Sequence, residues 1–335
     1  MNVAINGFGR IGRTFLRVIL SDPEVCKNIK IISINVGPEL PENLALLFKY
    51  DSLMGEFKGD VSFRNNKLII NENIINVYAQ RDPGKLPWRE NEIDWVVEAS
   101  GCFVQKEKAL AHCNAGAQSV LITAPSPDPD VTIIPGINDD SYDNKKHKIV
   151  SMGSCTTGAF APLVKVLQES FGITQGLMTT VHAYTNDQVL LDVEHKDPRR
   201  ARAAGINIIP TKTGADKVIT KIFPDLEGRI KAIALRIPVA LVSIIDFTFN
   251  SPCELTKEQI NEKFLYYSKN SLKRILQYVS DPLVSSDFIG SIYSSCYDSL
   301  LTQCYGNIGK VFAWYDNEYG YSMRIKDFLV SLLKK

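Results

Sequence analysis

Gly7, Gly9 and Gly12 stand between a short apolar run, Val3-Ala4-Ile5-Asn6, and an apolar-periodic stretch from Thr14 to Leu20. This G-x-G-x-x-G spacing admits few folds. At a strand-to-helix junction the first glycine permits a tight turn. The second lets backbone approach a pyrophosphate, and the third lets helix pack close to strand. Amides at the helix N-terminus then stabilise the phosphate charge. The segment therefore predicts the opening of a dinucleotide-binding sheet. In that pattern an acid at the tip of the second strand bonds the ribose 2′-hydroxyl. Here the tip reads Ile34-Asn35-Val36-Gly37, and the nearest acids are Glu39 and Glu42 in the loop beyond. An acid repels a 2′-phosphate, so its absence weakens discrimination between NAD and NADP.

The rest of the first half keeps a strand–helix rhythm. Strands are expected at Lys30 to Asn35, Lys67 to Ile70, Ile74 to Tyr78, Asp94 to Glu98 and Ser119 to Thr123. Helices are expected at Leu44 to Phe48 and Lys106 to Ala115. This alternation predicts an α/β domain of Rossmann type, a doubly wound and mostly parallel sheet. The second half changes character. A helix from Phe160 to Ser170 precedes long β-like runs at Gly176 to His182, Ile230 to Arg236 and Val239 to Asn250, with an amphipathic helix over Thr256 to Leu276. That pattern predicts an α+β domain on a mixed or antiparallel sheet. The expected division is residues 1–153 plus a C-terminal helix at 317–335 for the first domain, and 154–316 for the second. The closing helix is expected to pack back on the first domain.

The 335 residues suffice for two domains and a full apolar core. Lys+Arg total 38 against 37 Asp+Glu. That balance argues against a dedicated nucleic-acid or membrane-surface partner. The seven cysteines contain no C-x-x-C pair, which argues against a zinc ribbon or a disulfide framework. The opening MNVAINGFGRIG lacks the basic and apolar regions of a signal peptide, so a reducing cytoplasmic setting is expected. A cysteine there can act as a reagent.

Cys155, in Ser154-Cys155-Thr156-Thr157, sits at the expected domain boundary just before a helix. A thiol at a helix N-terminus gains thiolate character from the amide dipoles. His182 ends the next strand-like run. Such a histidine can hold the thiol as an ion pair and later move protons. The competing reading is a buried structural cysteine beside an unrelated histidine. His112 and His147 are expected on the surface, and His195 in a loop that touches a neighbouring subunit. Asp128-Pro129-Asp130 has no second ligand cluster, so no metal site is expected.

INGFGRIGR, KYDS, SCTT, HAYTNDQ, RRARAA, NIIPTKTGADK, ALRIP and WYDNEYGYS occur in this order over nearly the whole chain. Together they resemble the phosphorylating glyceraldehyde-3-phosphate dehydrogenases, in their bacterial form. The resemblance implies oxidation of glyceraldehyde 3-phosphate with NAD, NADP also being allowed, through a thioester on Cys155 that inorganic phosphate cleaves. His182 is implied as the base. One anion site resembles Thr185, Asp187, Arg200 and Arg236, and the other Ser154, Thr156, Thr213 and Gly214. Cofactor contacts are implied at Asn6, Gly7, Gly9, Arg10, Ile11, Gly12, Asn35, Arg81, Ser100, Thr123, Asn317 and Tyr321. A homotetramer is implied.

The chain departs from the family pattern at Val36, Met152, Gly153, Gly158, Leu241 and Val193-Glu194. In the family the last loop reaches the adenosine end of a neighbouring cofactor, so Glu194 opposes the effect of losing the strand-tip acid. The balance leans slightly to NAD. Two other functions compete. An erythrose-4-phosphate dehydrogenase shares the thiol chemistry but releases its product by hydrolysis; that group typically lacks the Thr kept here at Thr185. A non-catalytic scaffold is the other, prompted by the changes at Met152, Gly153 and Gly158.

Overall fold

The computed structural model describes residues 1–333 and divides into two compact units. The last two residues of the expected 317–335 helix lie outside it. Met1–Ile133, Asp139–Gly153 and the segment from Ser322 onward form the first unit, and Ile134–Asn138 with Ser154–Tyr321 form the second. The short 134–138 stretch and residues 317–321, both expected in the first domain, group with the second unit.

The first unit holds a nine-stranded sheet. Its spatial order is Val131–Thr132, Ile149–Ser151, Ser119–Ile122, Trp95–Glu98, Asn2–Asn6, Lys30–Asn35, Asn73–Tyr78, Lys67–Ile70 and Val61–Arg64. The first seven run parallel, and the last two add as antiparallel edges. Central strands such as Trp95–Glu98 are fully buried, which explains their unbroken apolar runs. Asn2–Asn6 lies where the strand order reverses. In register, its Asn6 stands opposite Asn35 on one side and Glu98 on the other. Ligands of such sheets bind beyond the carboxyl ends of the strands at this switch point. Helix Arg10–Leu20 buries Phe15, Leu16, Val18 and Ile19. Near the C-terminus Phe328 packs edge-on against Trp95 and Tyr142, at 5.6 and 5.3 Å between ring centres.

The second unit holds an eight-stranded mixed sheet in the order Ile209–Thr211, Ile230–Ile237, Gln175–Ala183, Ser243–Asn250, Ile308–Tyr315, Ser295–Asp298 and Leu276–Val279, with Gln303–Tyr305 paired to Ile308–Tyr315. Strict alternation along Ser243–Asn250 turns one face into the core. Phe160 of helix Cys155–Phe171 meets Phe247 there at 4.8 Å, edge to face. Three expectations need correction. The helix over 256–276 ends at Lys269, because Asn270 and then Arg274, at φ +70°, turn the chain into the strand Leu276–Val279. The strand from Val239 starts only at Ser243, because Val242 is held at φ +70°. Strand Ile308–Tyr315 went unread, although its residues alternate between buried and partly exposed.

Candidate active site

Cys155 opens helix Cys155–Phe171, and Ser154 is its N-cap. The Ser154 backbone is extended, and its Oγ accepts the Thr157 amide at 3.0 Å. The cap therefore sets where the helix starts and places the thiol on its first turn. His182 lies near the end of strand Gln175–Ala183, whose parallel pairing with Ile230–Ile237 puts Arg236 opposite it. The Cys155 Sγ and His182 Nε2 stand 3.5 Å apart. An Arg236 guanidinium N–H donates to the Ala183 carbonyl at 2.9 Å and lies 2.8 Å from His182 Nδ1. Nδ1 also lies 2.6 Å from that carbonyl.

These contacts select between tautomers. Arginine only donates, so an Arg236 bond to Nδ1 puts the ring proton on Nε2, facing sulfur. A bond from Nδ1 to Ala183 leaves the Nε2 lone pair facing the thiol, as a base requires. Burial first, and then the Arg236 charge, push the His182 pKa down to about 3. Burial raises the Cys155 pKa, against the pull of Arg236 and the Thr156 amide. Both shifts favour the neutral forms, a thiol facing a neutral imidazole, and oppose the ion pair expected from the sequence.

Arg236 is itself desolvated, which lowers its pKa. Its Nε is buried without a hydrogen-bond partner among the described residues. Arg200 is more committed. It pairs with Asp187, and its Nε donates to Thr211 Oγ1 at 2.9 Å. Partial burial raises the Asp187 pKa, but the bond and charge from Arg200 outweigh it and the net shift is downward. His195 Nε2 adds a contact to Asp187 at 3.6 Å. Thr185 is half-buried at the head of the same loop, beside this cluster. The Thr156 hydroxyl shares a hydrogen bond with the Tyr315 hydroxyl at 2.9 Å. Thr213 and Gly214 line a cleft of about 880 Å³ with Lys196, Arg199 and Lys212, and Thr211, which Arg200 meets, lines it too. Asn317 is buried, and its Oδ1 accepts from the Val242 amide at 3.1 Å and the Ser243 hydroxyl at 3.3 Å. Tyr321 is buried.

In the first unit a cleft of about 640 Å³ opens at the switch point, lined by Asn6, Gly7, Gly9, Asn35, Arg81 and Ser100 among others. Gly7 has φ +94°, and a Cβ there would lie 2.4 Å from the Ser100 nitrogen. At Gly12 a Cβ would lie 2.2 Å from the Gly7 carbonyl oxygen. A Cβ on Gly9 would meet nothing, so the protein itself does not demand that glycine. The first and third glycines thus meet the turn and packing demands the sequence assigned to them. Arg81 is the one charged side chain lining the cleft among the described residues. Arg10 pairs with Asp51, Ile11 is half-buried, and Thr123 Oγ1 donates to the Glu98 carbonyl at 3.0 Å. The amides of Asn6 and Asn35 are spent on protein partners. Asn35 Nδ2 donates to Asn6 Oδ1 at 2.7 Å and to the Gln80 carbonyl at 2.8 Å.

His112, expected on the surface, is fully buried. His147 is half-buried and accepts the Asp143 amide at 3.0 Å through Nδ1. Glu98, His112, Trp88 and Tyr315 escaped the sequence reading as site groups. The available signal was a lone acid closing the apolar run Trp95-Val96-Val97. No group of three His, Cys, Asp or Glu side chains fit to hold a metal occurs among the described residues.

Comparison with known proteins agrees with this geometry. Residues 1–106 match the model of the glyceraldehyde 3-phosphate dehydrogenase NAD binding domain, and residues 154–317 that of the C-terminal domain. Glyceraldehyde-3-phosphate dehydrogenase 2 of Bacillus subtilis is 46% identical, over 98% of this chain and 96% of its own. The Geobacillus stearothermophilus glyceraldehyde-3-phosphate dehydrogenase is 45% identical, over 100% and 99%. With a dinucleotide-type cleft in one unit, a thiol–imidazole–guanidinium cluster in the other, and family matches over most of its length, the chain belongs to the glyceraldehyde-3-phosphate dehydrogenase family.

Proposed function

We propose that the chain oxidises glyceraldehyde 3-phosphate to 1,3-bisphosphoglycerate through a thioester on Cys155. The observation that carries this reading is the Cys155–His182 contact at 3.5 Å beside Arg236, whose buried Nε lacks a partner. Arg236 and Arg200 suit the substrate phosphate, because guanidinium gives charge-assisted, bidentate bonds. An anion at Arg236 offsets the charge that depresses His182 and so eases its protonation, while it also removes the pull that Arg236 exerts on the Cys155 thiol.

The steps follow from the groups present. Sγ bonds to the aldehyde carbon, and the thiol proton passes through His182 to the new hydroxyl. Oxidation then removes a hydride from that carbon, while Nε2 takes the hydroxyl proton and a thioester remains. NAD(P), when bound, supplies the hydride acceptor. An oxygen of inorganic phosphate attacks the thioester, the C–S bond breaks, and the proton on His182 returns to sulfur. Ser154, Thr156, Thr213 and Gly214 are assigned to the attacking phosphate. Asn317 presents Nδ2 to the nicotinamide amide. The glycine turn with Asn6, Arg10, Ile11, Asn35, Arg81, Ser100, Thr123 and Tyr321 forms the remaining cofactor contacts and their support.

The residues fit a dinucleotide at the switch-point cleft, and that cleft carries one arginine and no acid among its lining residues. We assign NAD as the working cofactor with weak discrimination against NADP. We also assign a homotetramer, and a division of labour at residue 153/154 between cofactor and catalytic halves. No helix among the described residues is long and apolar enough to cross a membrane. One experiment tests the main points: steady-state reduction of NAD and of NADP with glyceraldehyde 3-phosphate, with and without inorganic phosphate. Turnover should require phosphate, and kcat/KM should differ between cofactors by less than about tenfold, some 1.4 kcal/mol. Phosphate-independent turnover rejects the acyl-phosphate step and favours hydrolytic release. A hundredfold preference rejects weak discrimination.

A further inference from the structure

A buried polar chain runs beneath the switch-point cleft. Glu98 ends strand Trp95–Glu98 with its side chain fully enclosed. Four donors surround its carboxylate. The Asn6 Nδ2 and His112 Nε2 meet one oxygen, the latter at 3.1 Å. The Ser100 amide, at 2.8 Å, and the Ser100 hydroxyl meet the other. Behind His112, the Trp88 indole N–H donates to Nδ1 at 2.9 Å. Indole nitrogen can only donate, so Nδ1 must accept and the ring proton must lie on Nε2, aimed at Glu98. Trp88 thus fixes the tautomer of His112, His112 fixes Glu98, and Glu98 holds Asn6 and Ser100.

The two residues at the end of this chain are lining residues of the cleft. Asn6 extends the chain laterally, because its Oδ1 accepts from Asn35, whose amide clasps the Gln80 backbone at both ends. Gln80 and Asn35 also line the cleft. The interior end lies among Leu86, Ile93, Val96, Ala109 and Val120, an apolar setting where a lost partner is not replaced by water. Phe103, another lining residue, rests edge-on against His112 at 6.0 Å.

We infer that Glu98, His112 and Trp88 are positioning residues for dinucleotide binding: a buried relay that sets the amides of Asn6 and Asn35 and the hydroxyl of Ser100 at the cleft floor. The inference rests on the dinucleotide reading of that cleft. It predicts an unusual pattern of substitution at His112. Glutamine carries one acceptor and one donor on a single amide, as this imidazole does, so His112→Gln should keep both bonds. Methionine fills similar space and keeps neither.

The test is equilibrium titration of the full-length protein with NAD and with NADP, followed by tryptophan fluorescence, with thermal unfolding recorded alongside. His112→Met should weaken dinucleotide binding by about 2- to 30-fold, the span of coupling through a packed polar network. His112→Gln should restore affinity to near wild type. Trp88→Phe removes only the indole N–H and should give a smaller loss; it serves as the second variant where His112→Met does not fold. Lower thermal stability in His112→Met with unchanged affinity overturns the inference, since a purely structural role moves stability alone. Equal losses in His112→Gln and His112→Met overturn the donor–acceptor logic. Wild-type protein that binds neither dinucleotide instead overturns the cofactor reading, and so separates the two failures.

Discussion

Arg236 reaches His182 because two parallel strands pair in register, and its charge adds to burial in keeping that imidazole neutral. His182→Asn should lower kcat by about 10²–10⁴-fold, the usual worth of a positioned general base, in steady-state assays of NAD(P)H formation. Cys155→Ser should abolish oxidation in the same assay. The same histidine has a stability signature. Its folded pKa, about 3, lies below the ordinary 6.5. On acidification the unfolded chain therefore binds the proton first, and stability falls. The contribution is intact above 6.5 and drains away between 6.5 and about 3. Denaturant midpoints at pH 7 and pH 4.5 check this: wild type should lose more stability than His182→Gln. Parallel loss in both proteins would show that His182 is not desolvated as described.

Among elements, the turn from strand Asn2–Asn6 into helix Arg10–Leu20 gives the cleanest separation of packing from binding. A Cβ on Gly12 collides with rigid backbone, so Gly12→Ala should cost roughly 1–3 kcal/mol in urea unfolding, as overpacking does. A Cβ on Gly9 meets open space, so Gly9→Ala should keep stability yet weaken dinucleotide titration, because only a bound pyrophosphate needs that approach. Loss of stability at Gly9→Ala, or unchanged affinity, would sink the second-glycine assignment. This turn was legible in the sequence because glycine spacing reports backbone conformation directly. The β-α alternation of the first half was legible because buried parallel strands are uninterrupted apolar runs. Residues 270–279 were not. Leu272 and Ile275 continue a helical period, yet they are buried from a turn, and tertiary packing overrides local pattern. His112 was misplaced for a related reason. Its flanks are polar, and only the fold shows that Trp88 and Glu98 satisfy both ring nitrogens. Cys155 and His182 meet at 3.5 Å as their spacing suggested, but Arg236, far away in sequence, joins them only through strand pairing.

At the scale of the whole molecule, the second unit leaves large apolar side chains in water. Leu190 is 88% exposed and Ile206 83%, with Leu191, Ile208 and Leu177 also well exposed. Monomers seldom tolerate so much apolar surface, which supports the homotetramer assignment. Sedimentation velocity at micromolar concentration should give a species about four times the single-chain mass. Leu190→Asp combined with Ile206→Asp should shift it toward smaller species. A wild-type monomer would reject the assembly.

The chain order of the two units sets a timetable. Every strand of both sheets has been synthesised by Tyr315, but the first unit is not closed until the segment from Ser322 arrives. Trp95 and Tyr142 then receive Phe328, and Asp22 receives Lys326 at 3.1 Å. On the ribosome the second unit can therefore mature while the first still shows an open apolar seam. A premature stop just after Tyr321 would spare all the strands and Cys155, yet yield a protein marked for quality control by a single missing helix.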